Sequence, residues 1–123
     1  MAHINNILDQ AKANQYFRQV LATGKKVQVV LMSIPPGGEI GEEVHPDNDQ
    51  TLFLADGTGQ VVLDGQAADF NTGDLVLVPA GTKHNFITKS DAPMKIITTY
   101  SPPHHPDGTV HKTKAEADHS TIT

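Results

Sequence analysis

The sequence predicts an all-β domain, an antiparallel barrel or sandwich with helix confined to its start. From Val27 to Tyr100 the chain is a series of short runs of β-branched and aliphatic residues, and nearly every run stops at Gly, Pro or Asp. Short strands punctuated in this way return on themselves through tight connections and close into a barrel or a two-sheet sandwich. Size agrees: 123 residues make one domain, large enough to bury roughly two thirds of the surface its unfolded form exposes.

Taken in order, residues from about Asn6 to Leu21 carry a helix-like spacing. Ile7, Leu8, Ala11, Phe17, Val20 and Leu21 are apolar, Asn5 or Asn6 is available as N-cap, and Gly24 ends the pattern. Tyr16, Phe17 and Val20 fit a first strand equally well. The run VQVVLMSI, from Val27 to Ile34, is a strand that stops at Pro35-Pro36-Gly37-Gly38. TLFLA, after Gln50, ends at the turn Asp56-Gly57, and GQVVLDG is a strand closed by Asp64-Gly65, a dipeptide suited to a tight hairpin. AADFNTGD adds a short strand. Gly73-Asp74 then turns into LVLVP, an uninterrupted apolar run of the kind buried on both faces. AGTKHNFIT restarts at a turn, Asp91-Ala92-Pro93 breaks it, and MKIITTY is the last strand before Pro102-Pro103. The chain thus divides into an N-terminal helical or edge segment (1–26), a β domain (27–100) and a polar tail (101–123), which is either draped over the body or disordered.

Composition excludes several classes. There is no cysteine, hence no disulfide framework, thiolate metal site or cysteine nucleophile. Nine basic against 14 acidic residues, a formal charge of -5 and a single arginine, Arg18, argue against a nucleic-acid surface, which needs clustered lysine and arginine. No segment approaches the ~20 apolar residues of a membrane span, and the start MAHINNILDQ lacks a basic region followed by an apolar one, so the expectation is a soluble cytoplasmic protein. No serine sits on a Gly-rich strand-to-helix elbow, which speaks against a Ser-His-Asp hydrolase.

The chemistry concentrates between Gly37 and Gly59. Glu43 and His45 are two apart, so on a strand they share a face while Val44 packs on the other side; Gln50 follows and His84 lies downstream. A carboxylate, an imidazole and a carboxamide at the mouth of paired strands, with a second imidazole, form a nitrogen and oxygen coordination sphere for a divalent metal. Taken singly, each has a plainer reading: an ordinary histidine, an acid in a solvated loop beside Glu42, Asp47 and Asp49, or an amide bonded to a strand end.

The spacing resembles the cupin superfamily. Its first motif runs Gly, five residues, His, one, His, three or four, Glu, six, Gly; here Gly37, Glu43, His45, Gln50 and Gly57 fill those positions. Glu43 replaces the first histidine and Gln50 the glutamate. The second motif is met by Gly73, Pro79, Gly81 and His84, with Thr88 in place of an asparagine. The resemblance implies a small jelly-roll β-barrel of two facing antiparallel sheets, with Mn, Fe, Ni or Zn in the divalent state held by Glu43, His45, Gln50 and His84. Both exchanges keep an oxygen donor, and together they leave one anionic ligand, as in the usual set.

The function that follows is a metal-dependent enzyme of dioxygenase, isomerase or lyase type. Its substrate would be a small molecule that chelates the metal through oxygen, and Glu43 would move the proton if it is not a ligand. The rivals are a non-catalytic module that captures a sugar or metabolite, and a structural or storage role, which a single domain without repeats supports poorly. A homodimer is expected, because an open first-strand edge and the apolar residues around Tyr16 and Phe17 exceed what one small core needs. In the tail, Pro102, Pro103 and Pro106 stiffen the chain and Asp107-Gly108 can turn it. It is therefore expected to cover part of the pocket or the partner subunit, placing His104, His105 or His111 where it can hydrogen-bond a substrate, and its removal after Pro103 is expected to leave stability nearly unchanged.

Overall fold

In the computed structural model, which describes residues 1–119, the chain is all-β with two short helices. Helix α1 (Ile7–Ala13) precedes β1 (Arg18–Thr23), β2 (Gln28–Ile34), β3 (Asp49–Asp56), β4 (Thr58–Leu63), β5 (Gln66–Asn71), β6 (Leu75–Val78), β7 (His84–Thr88), β8 (Met94–Ser101) and β9 (Val110–His111); α2 (Lys114–Asp118) follows. A six-stranded sheet in the order β6-β3-β8-β2-β1-β9 faces a three-stranded sheet β5-β4-β7, the two-sheet arrangement implied by the cupin resemblance. All ladders are antiparallel. Bridges Glu39 to Ile87 and Glu43 to His84 lay the segment before β3 along β7.

Alternation places the core. Val30, Met32, Leu52, Leu54 and Ile96 point inward from the large sheet, against Val61, Phe70 and Phe86 from the small one. The Phe70 and Phe86 rings meet edge to face at 5.2 Å. Gly57 closes the β3–β4 turn at φ 96°, where an added Cβ would lie 2.7 Å from the Pro93 carbonyl oxygen. That motif glycine therefore serves the turn twice, through its φ and through the close approach of a neighbouring backbone.

Several expectations need correction. The helix stops at Ala13, not Leu21, because Asn14 is extended and its side chain both donates to the Tyr16 carbonyl (3.0 Å) and accepts from the Tyr16 amide (3.1 Å). Such a local side-chain turn competes with helical hydrogen bonds. Phe17 and Val20 consequently enter the core, on the strand reading. At the helix start Asn6 is indeed the N-cap residue, but it is left-handed (φ 50°) and its side chain makes no cap bond.

The run LVLVP is not buried on both faces. Strand β6 pairs only with β3, at the sheet edge, so Val78 packs inward while Leu75 and Leu77 are 64% and 59% exposed on the outer face. Val44, opposite Glu43 and His45, likewise faces solvent rather than packing.

The tail is draped over the body. Asn48 donates to the Pro102 carbonyl (2.6 Å), and the fully buried Gln28 clamps the next turn: its amide nitrogen donates to the His105 carbonyl (2.7 Å) and its oxygen accepts from the His104 and His105 amides. Asp107-Gly108 turns the chain, β9 pairs with β1, and Ala117 of α2 reaches the core. Residues 120–123 of the tail lie outside the described residues. Among the described residues, no helix is long and apolar enough to cross a membrane.

The tail therefore contributes to stability, contrary to the expectation from sequence. Removing everything after Pro103 breaks the Phe17-to-Lys112 and Val20-to-Thr109 backbone bonds and uncovers the core beside Ala117. At about 1 kcal/mol net per hydrogen bond, the loss is on the order of 3 kcal/mol and lowers the melting temperature by roughly 10 °C. Thermal unfolding followed by circular dichroism checks this; an unchanged midpoint would contradict it.

Candidate metal centre

The site is assembled by one backbone contact. Glu43 and His84 are directly opposed, each amide donating to the other's carbonyl at 2.9 Å, so their side chains leave the same face. His45, two residues on, returns to that face, and the Gly81 amide holds its carbonyl at 2.9 Å. The ligand atoms of Glu43, His45 and His84 all lie within 4.8 Å of one another, and His45 Nε2 is 3.9 Å from Glu43 Oε2.

The fourth sequence candidate comes from the opposite sheet. Gln50 on β3 is 3% exposed, and its amide nitrogen donates to Thr98 Oγ (3.0 Å), whose own proton goes to the Thr51 carbonyl (2.7 Å). That relay fixes which end of the amide is the nitrogen. It leaves Gln50 Oε1 buried with no hydrogen-bond partner. A buried acceptor without a donor is strongly disfavoured and fits a cation ligand.

The imidazoles are set in the form a cation needs. His84 Nδ1 lies 2.8 Å from the Thr82 carbonyl; a carbonyl only accepts, so Nδ1 carries a proton and Nε2 is the nitrogen available to a cation. Burial, with smaller contributions from His104, His84 and Arg18, lowers the pKa of His45 to about 4, which keeps the ring neutral near pH 7. Burial raises the Glu43 carboxyl above its ordinary range against the opposing pull of Arg18 and His84.

Several site residues were not singled out by sequence reasoning. Tyr100, opposite Gln50 in the β3–β8 ladder, is buried at 2% exposure, and burial pushes its hydroxyl up to about 12. Its ring stacks on His104 at 5.5 Å, and His104 in turn lies 4.5 Å from His45. The tail thus brings His104 against a candidate ligand, whereas His111 reaches Arg18 instead (3.1 Å). Arg18 is inward on β1, in phase with Val20. Strict alternation along β1 and β8 was the available signal for Arg18 and Tyr100.

Comparison with known proteins follows the same lines. The family profile described as "Cupin domain" matches residues 30–100. The chain is 45% identical over 119 residues to the Bacillus subtilis (strain 168) protein named "Uncharacterized protein YrkC", a match covering 91% of this chain and 63% of that protein. The chain thus spans less than two thirds of that relative's length. It superposes on the crystal structure of BH2720 from Bacillus halodurans with a TM-score of 0.95 and 40% identity, over 98% of this chain and 96% of that one. Quercetin 2,3-dioxygenase of Bacillus subtilis (strain 168) is 32% identical over 69 residues, 56% of this chain and 20% of that enzyme.

Acid sensitivity follows from the buried rings. Burial, with Arg18 and His104 adding to it, lowers His105 to about 3, and both its ring nitrogens lack partners. Between pH 6.5 and 3 the unfolded chain takes up a proton on this residue that the folded chain refuses, so stability is full above pH 6.5 and falls as the pH drops. For chelator-treated protein, urea unfolding should show the free energy falling below pH 6.5, each such histidine adding a slope of up to about 1.4 kcal/mol per pH unit. His105→Phe should give a visibly shallower fall; equal slopes would refute the assignment.

Proposed function

The chain belongs to the cupin family, and on that premise we propose that it binds one divalent transition metal, Mn, Fe, Ni or Zn, through Glu43, His45, Gln50 and His84. We propose further that it acts as an enzyme on a small-molecule substrate that chelates through oxygen. One observation carries the reading: three ligand atoms from Glu43, His45 and His84 converge within 4.8 Å, and the partnerless Gln50 Oε1 is buried on the opposite sheet. Two imidazole nitrogens with carboxylate and amide oxygens form a donor set suited to these ions. When bound, such an ion polarises a substrate oxygen and stabilises negative charge developing on it.

The residues of the chain supply the rest. Burial holds His45 neutral as a nitrogen ligand, and the Thr82 carbonyl orients the His84 ring. Glu43, with its carboxyl raised by burial, is poised to take a substrate proton on Oε when it is not engaged as a ligand. Tyr100, His104 and the Gln28-clamped tail pack beside His45 and would help to keep water from it. Among the reaction types, dioxygenation is supported by the likeness to quercetin 2,3-dioxygenase. A homodimer belongs to the same reading. Its support now lies in Leu75 and Leu77, exposed on the edge strand, since Phe17 is buried in the core; sedimentation showing a 13.2 kDa species at high concentration would count against it.

Elemental analysis of protein saturated with metal and desalted should find close to one ion per chain. His45→Ala and His84→Ala should each weaken binding by more than the roughly 10- to 100-fold that loss of an outer-sphere partner costs. Glu43→Gln separates its two roles: retained metal with turnover abolished on screened diketones and hydroxy-ketones marks a proton carrier, and lost metal marks a ligand. Wild-type protein holding well below one ion would refute the metal reading, whereas full metal occupancy without turnover would favour the binding module.

A further inference from the structure

Arg18 is the only arginine in the chain, and it is 3% exposed. A guanidinium is always charged, and its removal from water is strongly unfavourable unless an anion compensates it. Among the described residues no carboxylate forms an ion pair with it. Its direct partners are uncharged or face it as a ring: the His111 ring at Nη1 (3.1 Å), the Tyr100 hydroxyl, and the face of Phe17, 5.3 Å from the guanidinium carbon; the Glu43 carboxyl acts on it only at longer range, without an ion-pair contact. Its Nε has no partner.

The other partnerless buried side-chain atoms among the described residues belong to Gln50 and His105. Both residues surround the same ring as Arg18, for Gln50 is paired with Tyr100 and the His105 ring lies 5.2 Å from it. Orphan polar groups gathered at one place mark a chamber completed by something that enters it. There is also a way in. Arg18 and Glu43 both line a cavity of about 240 Å³ between the segment 40–43 and α2; its other charged walls are Glu42 and the Lys114–Asp118 ion pair (2.8 Å), which leaves Arg18 as the cation there without a carboxylate in contact.

We propose that Arg18 is the anchor for a substrate carboxylate. The substrate class is then a small carboxylic acid, its carboxylate received by the Arg18 Nε–H while another of its oxygens reaches the Glu43, His45 and His84 cluster. This rests on the reading of that cluster as a chelating metal site. The charge-assisted bond satisfies the orphan donor and neutralises the buried cation. The cavity is smaller than the ~300–1,000 Å³ of sites for drug-sized ligands, which selects acids of a few carbons over larger aromatic ones.

Because the chain has a single arginine, its Nε–H gives one nitrogen-15 signal that needs no assignment among rivals. Titrating the full-length protein with malonate, once metal-loaded with Zn and once chelator-treated, should shift that signal saturably, while the neutral malonamide leaves it in place. Arg18→Gln should weaken malonate binding at least about tenfold, leave malonamide unaffected, and retain metal. If that variant fails to fold, the wild-type titration decides alone. A signal unmoved by malonate, an absence of malonate binding, or a malonate affinity within about twofold of wild type in Arg18→Gln overturns the proposal. Wild-type protein that takes up no metal yet shifts the Arg18 signal would sink the metal reading and leave the anchor standing; metal uptake with an unmoved signal would do the reverse.

Discussion

The doubly hydrogen-bonded pair between Glu43 and His84 is the constraint on which the site depends. It stitches the segment before β3 to the free edge of β7, sets the register of that segment, and puts a carboxylate and an imidazole on one face. A slip of one residue would turn Glu43 and His45 outward together and Val44 inward. The exposure of Val44 is the counterpart of this geometry, since a valine facing solvent is the lesser cost when its two neighbours must face the interior. The small sheet supplies three candidate ligands through this contact, and the large sheet presents Gln50 from across the barrel.

A second layer surrounds that cluster and is built largely by the tail. Gln28, wholly buried on β2, uses both ends of its amide to hold the turn at His104 and His105. That turn stacks His104 on Tyr100 and brings it beside His45. β9 then carries His111 to Arg18. Stability and site chemistry are therefore joined: the same hydrogen bonds that fasten the tail also wall the interior, lower its polarity, and keep His45 and His105 neutral.

What was legible in the sequence follows from how local each signal is. Strands β2 to β8 were readable because alternation, β-branched residues and Gly or Asp turns act over a few residues, and the cupin motif positions placed Glu43, His45 and His84 where the structure brings them together. The first helix was overextended because Phe17, Val20 and Leu21 continue a helical spacing by coincidence; the Asn14 side-chain turn that ends the helix has no periodic signature. LVLVP was misjudged because an apolar run does not reveal whether its strand has one neighbour or two. The inward placement of Arg18 was not legible because composition treats a lone arginine as a surface charge, and only its phase with Val20 on β1 turns it inward. The tail's role depends on Gln28, 76 and 77 positions away from His104 and His105, a contact that no local pattern encodes.

The most direct measurement of the central claim is X-ray absorption at the metal edge of protein titrated with Co(II) after chelator treatment. The account predicts saturation at one ion per chain, with two imidazole nitrogens and the remaining donors oxygen in the first coordination sphere. A sphere without imidazole, or uptake that saturates far below one ion, would contradict it.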